Sequence, residues 1–124
     1  MNVYQLAQEW TDLRWGTVMP VTVMIASKLA EVRVRGVCSV AVTDPVRLEE
    51  KVPDPENLTA YVKSLLVQTI TDLIGERSGE VSDVAQLTTI TTQMVQAFQA
   101  NLETKFNPIG LKLKNVTIEA IESL

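Results

Sequence analysis

The chain has 124 residues, a formal net charge of -4, and 46% hydrophobic and 21% charged residues, which are the proportions of one folded domain rather than a disordered tract. That acidic balance leaves no basic field to displace counterions from nucleic acid or to dock electrostatically on anionic lipid. One cysteine and no histidine exclude an internal disulfide, a cysteine-based zinc site and any triad that relays a proton through imidazole.

A helix needs about 20 apolar residues to cross a bilayer. The longest apolar run, Val18 to Ala26, is interrupted by Pro20 and Thr22. The N-terminus carries Glu9 and Asp12 where a secretory leader needs basic residues. A reducing, intracellular setting fits the lone thiol.

In chain order, Val3 to Trp10 reads as a short strand. Leu13 to Ile25 reads as a second, because Val21, Val23 and Ile25 alternate with Thr22 and Met24. Pro20 cannot donate to a ladder, so it belongs at an edge, a strand start or a bulge. Ala26-Ser27-Lys28 then turns the chain into its clearest strand. Every even position from Val32 to Val42 is apolar or glycine, while Arg33, Arg35 and Ser39 occupy odd ones. A helix would scatter those valines around its circumference, so the period of two means a strand with one buried face.

Two Asp-Pro pairs follow, at Asp44-Pro45 and Asp54-Pro55. Aspartate at a helix cap accepts free backbone N–H groups, and proline at the first helical position has no N–H to waste. The first pair opens a short helix through Val46, Leu48 and Glu49. The second opens a long one, with Leu58, Tyr61, Val62, Leu65, Leu66, Thr69, Ile70 and Leu73 on one stripe. Gly75 and then Ser78-Gly79 are expected to stop it. Ser82 or Asp83 caps a third helix, in which Val84, Leu87, Ile90, Met94, Phe98 and Leu102 recur at helical spacing, with Ala97 beside them. Asn107-Pro108-Ile109-Gly110 is a turn. The last strand slips phase: Leu111 and Leu113 have one parity, and Val116, Ile118 and Ala120 the other. A bulge near Lys114-Asn115 would keep both sets on the core face. The sequence stops at Glu122-Ser123-Leu124 without a terminating signal, which is expected of one domain, residues 1–124, cut from a longer protein.

Candidate chemistry is sparse. Cys38 falls on the apolar face of the central strand, where burial makes a thiol inert. The five glycines are isolated and make no phosphate-binding loop. Gly36 lies on the inward face, which lets a backbone or a large side chain such as Trp15 approach closely. Glu49, Glu50, Asp54 and Glu56 form an acidic cluster that a metal or a hydrolase could use, but capping and solvation account for them. Arg33 and Arg35, with Glu31 beside them, project from the polar face; they are either solvated or meet a neighbouring subunit. Trp10 and Trp15 are either core residues or interface anchors.

The run from Val32 through Gly36 to Thr43-Asp44-Pro45 resembles the central strand of SPFH (band 7) domains, the family of stomatin, prohibitin and flotillin. Leu58 to Leu73 and Ser82 to Phe106 resemble that family's two successive helices, and Gly110 to Ile121 its closing strand. Leu13-Arg14-Trp15-Gly16-Thr17-Val18-Met19-Pro20 is similar to the bacterial virion core protein-like (YdjI-like) subgroup, although Ala26-Ser27-Lys28 stands where that subgroup carries an acidic turn. The resemblance implies an α+β fold, a twisted antiparallel sheet packed against two main helices plus a short helix. It implies a homo-oligomer that gathers other proteins at or near a membrane, without catalysis or cofactor. A membrane would be reached indirectly or through segments absent here, from a cytoplasmic position at the inner face of the cell membrane. Arg33, Arg35, Trp10 and Trp15 are then the candidate self-association surface. The alternative is a peptide- or protein-binding module that uses an open sheet edge. An enzyme built on the acidic cluster is the third reading.

Overall fold

The computed structural model describes residues 3–17, 19–25, 28–77 and 91–123. Its spine is β3, Lys28–Val42, with which every other described strand pairs in antiparallel fashion. One side of β3 is taken by β4, Leu111–Ser123. The other side is shared end to end by β1, Glu9–Gly16, and β2, Val21–Ile25. The second strand expected within residues 13–25 is β2, which begins directly after Pro20, one of the places expected of that proline, while residues 13–16 belong to β1.

The gap between β1 and β2 has a local cause. Thr17 donates its N–H to the Val34 carbonyl at 2.9 Å, but the Val34 N–H is accepted by the Thr17 Oγ1 at 3.1 Å rather than by main chain. The hydroxyl replaces the backbone carbonyl and the chain leaves the ladder. Pro20, without an N–H, delays re-entry until Val21 pairs with Val32. Ile25 then stands opposite Lys28, so β2 and β3 form the expected hairpin; the tip, residues 26 and 27, lies outside the described residues.

Residues 3–8 are not a strand as expected. Ala7 has φ 65, which ends extended backbone, and Tyr4 folds over the core instead. Its hydroxyl donates to the Val52 carbonyl at 2.8 Å.

The even face of β3 is buried from Val32 to Val42, as its alternation requires. Ser39 and Ala41 on the other face are also shielded; Ala41 stands in register between Glu9 and Lys112, and Ser39 beside Asn115. β4 has the expected bulge: Ser39 pairs with Asn115 and Val40 with Leu113, so Lys114 is the extra residue. A second bulge follows, since Arg35 pairs with Ala120 and Gly36 with Ile118, leaving Glu119 over. It restores the original phase. Ala120 consequently sits opposite Arg35, away from the core, and Ile121 takes the buried place opposite Val34.

The helices cover the even face. α1, Pro45–Lys51, starts at Asp44, whose side chain accepts from the Arg47 N–H at 3.2 Å. Asp54 accepts from the Glu56 N–H at 3.1 Å and opens a 3-10 turn, Pro55–Asn57, that leads into α2, Leu58–Arg77. Each cap contributes about 1 kcal/mol. α2 runs straight through Gly75, which does not stop it as expected. The Ser78-Gly79 stop and the Ser82 or Asp83 cap, with Val84, Leu87 and Ile90, lie outside the described residues. α3, Thr91–Phe106, buries Met94, Phe98, Leu102 and Phe106. Thr69, a polar residue in the α2 stripe, is satisfied twice: it donates to the Leu65 carbonyl and accepts from Lys105 Nζ, both at 2.7 Å. That contact ties α2 to α3. A 3-10 turn, Asn107–Ile109, and Gly110 at φ 90 return the chain to β4. The described residues form an α+β fold: a four-stranded antiparallel sheet with three helices packed on one face.

Candidate functional site

Register decides where each candidate residue goes. Trp15 pairs with Gly36 and Trp10 with Val40, so both rings lie on the helix side of the sheet. Trp15 is 4% exposed, meets Phe98 edge-on at 5.4 Å, and fills the space left by Gly36. Trp10 is half-buried against Tyr4, with ring centroids 6.1 Å apart. Arg33 and Arg35 point the opposite way, onto the face that none of the described helices covers. The four residues do not share one surface.

The open face is a lattice of alternating charge. Arg35 pairs with Glu122, Arg14 with Glu119, and Lys114 with Glu9, each at 3.5 Å. All are well exposed, so each pair adds at most a fraction of a kcal/mol (roughly 0–1). Arg33, Arg35 and Glu122 border a shallow depression of about 220 Å³ together with Gly16 and Thr17. At the hairpin end of the same face Met24 and Leu29 stand opposite one another, 58% and 74% exposed. Sequence reading passed over this apolar pair. The signal was present: each is a large apolar residue at an off-core parity.

Cys38 is fully buried beneath the helices. Burial pushes its thiol up to about 11, with Lys63 pulling more weakly the other way. At neutral pH it is neither nucleophile nor ligand. The raised value belongs to the folded state, so the stability it contributes is complete below about pH 9 and is lost as pH rises through 11. In the native protein at pH 8, iodoacetamide should label Cys38 at least ~100-fold more slowly than in urea, since two pH units of depressed ionisation alone give that factor. Equal rates, followed by mass spectrometry, would mean the strand face is open.

The acidic cluster is divided by its geometry. Asp44 and Asp54 are occupied as caps. Among the described residues, no three Asp, Glu or Cys side chains converge as a metal-binding group. No helix of the described residues is long and apolar enough to cross a membrane.

Among the described residues, a sheet with one helical layer and one uncovered, charge-patterned face defines an α+β protein built around a long central strand. The sequence profile of the SPFH domain-Band 7 family matches residues 2–124, and the chain belongs to that family. No curated protein matches it significantly.

Proposed function

We propose that this chain is an oligomerising scaffold domain that organises partner proteins at or near a membrane and performs no catalysis. Family membership over nearly the whole chain carries this reading. The bare sheet face supports it in detail. Arg33 and Arg35 alternate there with Glu31 and Glu122, and the Met24–Leu29 pair supplies apolar area at one end. Two such faces can satisfy one another's charges while covering the apolar pair. Trp10 and Trp15 support that surface from behind, by fixing the sheet to its helices, rather than by direct contact.

Membrane contact would run through partners or through further segments, from the cytoplasmic side. The Arg14-Trp15-Gly16-Thr17 segment, with Pro20, favours the bacterial virion core protein-like subgroup. The net charge of -4 weighs against nucleic acid as a partner.

Light scattering over a wide concentration series tests the proposal. The apparent mass should rise with concentration, and Arg33→Glu with Arg35→Glu should lower it at every point. A chain that stays strictly monomeric at the highest concentration would refute assembly through this domain.

A further inference from the structure

The far edge of β1 offers a different kind of surface. In an antiparallel ladder, bonded and non-bonded positions alternate. Thr17 bonds to Val34, so Leu13 and Trp15 share its parity and turn their main-chain groups towards β3. Arg14 and Gly16 turn theirs outward, and among the described residues no strand meets them. Between this edge and α2 runs an open groove of about 660 Å³, lined by Trp15, Met19 and Val67 and bordered by Arg14, Lys63 and Gln68. Among the described residues two cations and no carboxylate line it, although the chain as a whole is acidic. Arg14 is engaged by Glu119 on the bare face, whereas Lys63 makes no ion pair among the described residues. Trp15 Nε1, in the same wall, is a buried donor with no acceptor among the described residues.

We propose that this groove takes an extended segment of a partner protein as an added strand, with an apolar side chain against Trp15 and Val67 and a carboxylate facing Lys63. The outward amides of Arg14 and Gly16 select a polypeptide over a lipid tail, since only a backbone matches their spacing. The cationic border selects an acidic sequence over a basic one. The β4 edge is a poorer acceptor: bulges at Lys114 and Glu119 break its regular spacing, and Lys112 and Lys114 add charge. A monomeric chain retains this groove, so the proposal stands or falls separately from self-association.

Two blocked nine-residue peptides test it with the purified chain, one alternating valine with glutamate and the other valine with lysine. The glutamate peptide should bind about tenfold more tightly in calorimetry, the scale expected from turning a surface attraction into a repulsion. It should slow hydrogen exchange at the Arg14 and Gly16 amides. Lys63→Glu, on an accessible helix position, should reverse the preference. Gly16→Pro, which removes one outward donor, should abolish binding, with circular dichroism confirming its fold. Equal affinity for both peptides, protection at β4 instead, pairing of two chains through β1, or binding to phosphatidylserine vesicles but to neither peptide would each overturn the proposal.

Discussion

Val34→Asp should unfold the domain. Val34 is 1% exposed in the centre of the helix-covered face, opposite Ile121, and its N–H is already committed to Thr17. A carboxylate there finds neither water nor a cation, so it must ionise at great cost or bury a protonated acid without partners. A loss of about 3–5 kcal/mol is expected, comparable with the whole stability of a small domain. Arg35→Ala, one residue along and facing solvent, should change stability by no more than about 0.5 kcal/mol, because its ion pair with Glu122 is exposed. Urea titrations followed by circular dichroism separate the two. If the aspartate variant melts with its parent, the facing of β3 is misassigned.

Gly36→Ala should be nearly as damaging, although it adds a single methyl. A Cβ at Gly36 would fall on the carbonyl oxygen of Thr117, and would stand 2.7 Å from Cζ2 of Trp15. The indole can tilt away. The carbonyl cannot, because it belongs to β4 between the two bulges and moves only with the strand. Overpacking that displaces main chain costs about 3 kcal/mol or more. Shortening the indole should therefore fail to rescue: Gly36→Ala should cost as much in a Trp15→Phe background as in the parent. A substantially smaller cost there, measured by thermal melts of all four proteins, would place the clash on the ring alone.

Much of this was readable in advance. The valines of β3 could lie only on a sheet face, and Gly36 in that row announced the close approach that Trp15 makes. The Asp-Pro pairs mark both caps, at Asp44 and Asp54, by residue type alone. The bulge at Lys114 was visible because it shifts apolar residues from one parity to the other. The bulge at Glu119 was not, because Ala120 and Ile121 are both apolar and either phase reads well. Gly75 is suited to a helix stop, but it lies on the exposed side of α2 and the helix continues to Arg77. The break after Thr17 was hidden because it depends on a hydroxyl that takes over a carbonyl's role, and no pattern of hydropathy records that exchange. The facing of Arg33 and Arg35 followed from alternation, whereas the pairing of Arg35 with Glu122 needed the register of β4.

Gly110 has a consequence for how this architecture can vary. Its carbonyl accepts the N–H groups of both Thr43 and Asp44, at 2.8 and 3.2 Å, and a side chain there would strike the Asp44 backbone. The point where the chain departs from the sheet and the point where it comes back are thus fastened by one clasp. Everything between is a closed excursion hung from that clasp. A change of helix length within that excursion therefore need not move either strand end, provided that Phe98 still meets Trp15 across the layers.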